Sequence, residues 1–132
     1  MRILIVGEQG PPHELAGALE AAGVNVEAPP ERVRDTSRGD EIAELASALV
    51  AFDRLLSDDP PDALLLVSAS NLALAAVLVA AKLRIPAAAM VEGARDGRTF
   101  ELNRRLVEQL SDSTVGSDPA TIVASLRDLI AA

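Results

Sequence analysis

Residues 62–93 read DALLLVSASNLALAAVLVAAKLRIPAAAMVEG, and this stretch decides the fold. Residues 63–67 and 87–91 are two short, continuously apolar runs of strand length, the pattern of strands buried on both faces of a parallel sheet. Between them Leu72, Leu74, Val77, Leu78, Val79 and Leu83, with alanines interspersed, surround the axis of a helix over residues 72–83. The unit therefore reads strand, helix, parallel strand. Residues 63–81 approach the roughly 20 apolar residues that cross a bilayer. Ser68, Ser70 and Asn71 cluster where a strand hands over to a helix, however, and Lys82 and Arg84 follow at once, so no membrane span is expected.

The same alternation continues outward. Upstream, residues 3–6 form a buried strand. The loop Gly7-Glu8-Gln9-Gly10-Pro11-Pro12 leads into a helix over 13–22, with Leu15 and Leu19 inward and Gly23 as its stop. A weaker strand over 25–28 ends at Pro29-Pro30, and the charged, turn-rich residues 31–40 read as a loop. Ile42, Leu45, Leu49, Phe52 and Leu56 recur at helical steps and predict an amphipathic helix over 41–57. Downstream, residues 98–110 form a helix whose apolar side is read through Leu102, Leu106 and Leu110. A last helix starts at Asp118-Pro119 and runs to about residue 130. The expected fold is α/β: one Rossmann-like, three-layer domain over residues 1–132 with a parallel sheet.

Composition excludes several functions. Acidic residues outnumber basic ones by 20 to 12, giving a net charge of −8, and Phe52 and Phe100 are the only aromatic side chains. Such a surface repels phosphate backbones and anionic membranes and offers no stacking platform, so nucleic-acid and membrane binding are not expected. The chain has no cysteine, which removes disulfides, thiolate nucleophiles and most zinc sites. No metal or cofactor is expected, and a reducing cytoplasm fits best.

A helix lying on a sheet normally has an outer side in water, so one apolar all round either tolerates exposure through its small alanines or needs further cover. That cover would come from other helices of this chain or from a second chain. The sequence-level expectation is a homodimer or a heteromer that buries Leu74, Val77 and Leu78.

Chemistry is expected at strand tips, because ligands of open α/β sheets bind at the carboxyl ends of the strands. Ser68, Ser70 and Asn71 follow such a tip; they can hold a sugar or phosphate, or cap the next helix. Glu92 and Arg95 follow the next tip. Glu101 and Arg104 stand at ion-pairing distance along a helix. Gly7-Glu8-Gln9-Gly10 lacks the third glycine of a dinucleotide fingerprint and the lysine of a P-loop, so it reads as a plain strand-to-helix turn. The lone His13 has no nucleophile paired with it by motif.

Taken in order, Pro61-Asp62-Ala63-Leu64-Leu65-Leu66-Val67, Leu83-Arg84-Ile85-Pro86, Glu92-Gly93-Ala94-Arg95 and Glu101-Leu102-Asn103-Arg104, followed by Ser111-Asp112, resemble the non-hydrolysing UDP-N-acetylglucosamine 2-epimerases. The resemblance covers about the first domain of that family's two-domain GT-B fold. It implies that UDP is removed and added back with inversion at C2, with acids of the first domain acting while the second holds UDP. It also implies roles for Glu101 and Glu92 in catalysis and for Asn103, Arg104 and Arg95 in ligand binding. Departures from the family pattern are specific. The acidic residue expected after the first strand of the quoted stretch falls on Ala69, the strand-tip histidine is replaced within Ala88-Ala89-Met90, and the second glutamate falls on Val91 with Glu92 one place later. A shift of one residue on a strand turns the side chain to the other face.

The expected function is therefore an epimerase-like domain without epimerase activity alone, acting through dimerisation, a nucleotide-binding partner chain or UDP-sugar binding. One alternative is a subunit of a split nucleotide-sugar epimerase or glycosyltransferase-like enzyme. The other is a flavodoxin-like or receiver-like signalling module, against which no Asp ends residues 63–67.

Overall fold

A computed structural model describes residues 1–7, 12–34, 40–91 and 98–132. Five strands lie in one parallel sheet: β1 (Arg2–Val6), β2 (Asn25–Glu27), β3 (Ala63–Leu66), β4 (Ala87–Ala89) and β5 (Ser113–Thr114), in the spatial order β2-β1-β3-β4-β5. Strand alternation sorts the apolar side chains into two cores. Leu4, Val6, Leu64, Leu66, Ala87 and Ala89 face one layer of helices: α2 (Glu31–Arg34), α3 (Glu41–Asp58), α4 (Asn71–Leu83) and α5 (Arg98–Leu110). Ile3, Ile5, Ala63, Leu65 and Ala88 face α1 (His13–Ala21) and α6 (Pro119–Ala131). This is the three-layer α/β architecture that the alternation predicts.

The apolar α4 sits centrally in its layer. It contacts α3 on one side and α5 on the other, and packs on β1, β3 and β4 beneath. Leu74 and Val77 are buried within the chain, Val77 at 0% exposure, and Leu78 is half-buried. The cover thus comes from this chain itself, which corrects the expectation that Leu74 and Val77 meet a partner. Alanine makes the arrangement feasible: Ala73, Ala76 and Ala80 are fully buried on α4, and β4 consists only of alanines. Small side chains let backbones approach closely, so one helix can be enclosed on nearly all sides without voids.

Local signals explain most element boundaries. Asp40 caps α3 by accepting from the Ala43 amide at 2.8 Å, and Asp118 caps α6 through both the amide and the hydroxyl of Thr121. Gly23 has φ +86° after α1, where a side chain would be strained. Arg84 ends α4 in the left-handed region at φ 60°. At the amino edge of the sheet, Arg2 bridges Glu27 of β2 and Asp59 beyond α3, each at 3.0 Å.

Several expectations need correction. Residues 31–34, read as loop, form the short α2, and Val33 is buried at its centre. The two-residue β5 has too little pattern to show in the sequence and is fixed by pairing with Ala88 and Ala89. Ile42, read as part of the inner stripe of α3, is 76% exposed. On α5 the inner residues are Asn103 and Val107, with Leu110 partly buried, whereas Leu102 and Leu106 face outward. Among the described residues no helix is long and apolar enough to cross a membrane.

Because α4 is enclosed, Val77→Asp places an unpaired charge in the core and is expected to destabilise the chain by about 3 kcal/mol or more. Urea unfolding followed by circular dichroism measures this. A folded variant of unchanged stability that only changes its association state would show that α4 is an interface.

Candidate functional site

In a parallel sheet every strand ends at the same edge, and α3, α4 and α5 all begin there. The order β2-β1-β3-β4-β5 reverses its winding between β1 and β3, the switch point at which such sheets open a crevice. Ser68, Ala69 and Ser70 form the turn from β3 into α4 beside that point. Backbone pairing continues just past β3, with the Val67 amide donating to the Val6 carbonyl at 3.0 Å.

The turn is built from hydroxyls. The Oγ atoms of Ser68 and Ser70 lie 3.1 Å apart, and Ser70 Oγ accepts from the Ala73 amide at 3.2 Å, so Ser70 is the N-cap of α4. Ser68 is half-buried and carries no capping bond, which leaves its hydroxyl the more available of the two. Asn71, the first residue of α4, uses both ends of its amide. Its Nδ2 donates to Glu41 Oε2 at 2.8 Å, and its Oδ1 accepts from Asn103 Nδ2 at 3.0 Å. Asn103 is 4% exposed and is the buried polar side chain among the described residues. Its participation in this bond offsets the cost of taking an amide out of water.

Glu101 and Arg104 come together, but with each other. The Arg104 guanidinium binds the Glu101 carboxylate and reaches Glu108 at 3.1 Å on its other side. Hydrogen bonding from Arg104, with the nearby charges of Arg104 and Arg105, holds the Glu101 carboxyl below its usual range. A carboxylate so held keeps its charge at neutral pH and carries no proton to deliver. Arg98, Thr99, Glu101, Leu102 and Arg105 line an open depression on this part of α5.

The predicted site residues thus divide. Ser68, Ser70, Asn71 and Asn103 meet at one edge, while Glu101 and Arg104 pair on the exposed side of α5. Glu92 and Arg95 lie outside the described residues, as do residues 8–11 of the first loop; His13 is exposed at the start of α1. Sequence reasoning missed Glu41 as a partner of Asn71, because residues 30 apart in the chain leave no local pattern. Asn103 as a core residue was findable: Phe100, Asn103, Val107 and Leu110 recur at helical steps.

The backbone as a whole matches solved structures. It superposes on the Methanocaldococcus jannaschii UDP-GlcNAc 2-epimerase in complex with UDP-GlcNAc and UDP with a TM-score of 0.70 and 18% identity, over 96% of this chain and 42% of that one. The Neisseria meningitidis UDP-GlcNAc 2-epimerase bound to UDP-GlcNAc gives a TM-score of 0.61 and 19% identity, over 95% of this chain and 43% of that one. The fold is that of part of a UDP-GlcNAc 2-epimerase. The chain spans about two fifths of the length of these epimerases. No protein-family profile matches it, and no curated protein sequence does.

The Glu101 pair gives a direct pH test. A carboxyl depressed in the folded state adds stability above its unfolded value, and this is lost as pH falls through the folded value. Carbon-detected NMR titration is expected to show Glu101 titrating below the ordinary glutamate value of about 4.3, and Arg104→Ala is expected to return it there. An unmoved Glu101 titration in the variant would contradict the pairing.

Proposed function

We propose that this chain is an epimerase-like domain that binds a nucleotide sugar at the carboxyl edge of its sheet and does not by itself complete an epimerase active site. The observation that carries the reading is the Ser68–Ser70 turn: two hydroxyls at the tip of β3, beside the switch point, on a fold shared with enzymes solved with UDP-GlcNAc bound. Hydroxyl and amide groups on a rigid strand tip are suited to the neutral hydroxyls and acetamido group of a sugar.

Epimerisation needs groups that can gain and release a proton on opposite schedules. The carboxylates described at this edge, and Glu101 on the exposed side of α5, are otherwise engaged. Asp40 caps α3, Glu41 accepts from Asn71, and Glu101 is held ionised by Arg104. Ala69 offers no carboxylate at the tip. In this reading the domain supplies a sugar-binding face, and a further nucleotide-binding chain or a second copy supplies the remainder of any reaction. The cysteine-free composition supports a reducing, cytoplasmic setting.

Calorimetry with UDP-N-acetylglucosamine, UDP and free N-acetylglucosamine tests the proposal. Binding of the nucleotide sugar is expected, weakened by about fivefold in Ser68→Ala, which removes one neutral hydrogen bond of about 1 kcal/mol. No epimer is expected to form during incubation with this chain alone. Absence of binding at millimolar ligand, or binding indifferent to Ser68, would overturn the reading.

A further inference from the structure

Asn103, Asn71 and Glu41 form a line of hydrogen bonds across three helices, from the second turn of α5 to the first residues of α4 and α3. Each belongs to a different helix, and the bonds have one polarity: Asn103 Nδ2 to Asn71 Oδ1, then Asn71 Nδ2 to Glu41 Oε2. Asn71 immediately follows the cap Ser70, whose hydroxyl accepts from Ala73 and whose carbonyl accepts from Leu74 at 3.0 Å. Asn71 thus adjoins the serine pair directly in the chain, with Ser68 tied to the cap Ser70 at 3.1 Å. Of the two anchors, Asn103 is buried and Glu41 is exposed.

We infer that Asn103 is a positioning residue: acting through Asn71, it sets the placement of the Ser68–Ser70 turn, with Glu41 as the outer anchor of the same line. The inference rests on the sugar-binding reading for its functional meaning, but not for its structural content. An asparagine is required because the line is polar in one direction. Asn103→Leu removes the donor and leaves Asn71 Oδ1 without it. Asn103→Asp presents an acceptor to Asn71 Oδ1, so Asn71 must turn its amide round, and turning it withdraws the donor from Glu41. Glu41→Gln keeps an acceptor oxygen and so preserves the line.

Amide hydrogen exchange of the full chain, without ligand, is the test. Asn103→Leu and Asn103→Asp are each expected to speed exchange of the Ala73 and Leu74 amides about tenfold relative to Thr121 and Ile122, capped by the distant Asp118, because local opening and global unfolding are separable by exchange. Glu41→Gln is expected to leave all four amides close to wild type. Asn103→Asp keeps the inference testable if Asn103→Leu does not fold. Unchanged Ala73 and Leu74, or an equal rise across α4 and α6, would overturn it, the latter because a residue that only adds stability moves every amide alike. Calorimetry then separates the two readings. Loss of UDP-N-acetylglucosamine affinity in Asn103→Asp supports the functional role, whereas a wild-type chain that binds no nucleotide sugar removes the sugar-binding reading and leaves the exchange result standing.

Discussion

The burial of α4 is the constraint on which the rest of the molecule depends. A helix that is apolar on every side cannot lie on a sheet with one side in water. It needs a floor and two walls, and here β1, β3 and β4 supply the floor while α3 and α5 supply the walls. The alanines on the helix and the all-alanine β4 set how close those neighbours come. Larger residues at Ala73 or Ala76 would push the layers apart, and overpacking of this kind costs about 1–3 kcal/mol.

Enclosing α4 also brings three helix starts to one edge. Their unsatisfied amides need acceptors, and Asp40 and Ser70 provide them for α3 and α4. Of the side chains left over at this edge, Asn71, Glu41 and Asn103 hydrogen-bond in line, and Ser68 bonds to Ser70. The candidate site is in this sense a consequence of the packing: a central helix with walls on both sides places polar residues of all three helices around the tip of β3. Among the described residues its inventory is hydroxyl and amide, together with the Glu41 carboxylate that accepts from Asn71. That is the physical ground for reading it as a binding edge.

Much of this was legible in the sequence. Uninterrupted runs such as Ile3 to Val6 and Ala63 to Val67 announce strands covered on both faces, and their alternation with helices gives a parallel sheet. The quoted stretch also located the β3 tip and the serine hydroxyls. What could not be read was which surface covers α4, since sequence shows that a helix is apolar all round but not whose side chains enclose it. The inner stripe of α5 was misread for a related reason. Leu102 and Leu106 are the more hydrophobic pair, yet Asn103 and Val107 face inward because the hydrogen bond to Asn71 makes an amide acceptable there. The Glu41 contact is long-range and has no local signature. Across the site, residue types were visible in the sequence, while their engagements with one another were set by tertiary packing.

One chain encloses its own apolar helix. The most direct measurement is the urea midpoint of the purified chain over about a hundredfold range of protein concentration, since a fold completed by association has a stability that depends on protomer concentration. A single cooperative transition with the same midpoint throughout is the expected result. A midpoint that climbs steadily with concentration would contradict it, because the cover of α4 would then have to come from a second chain.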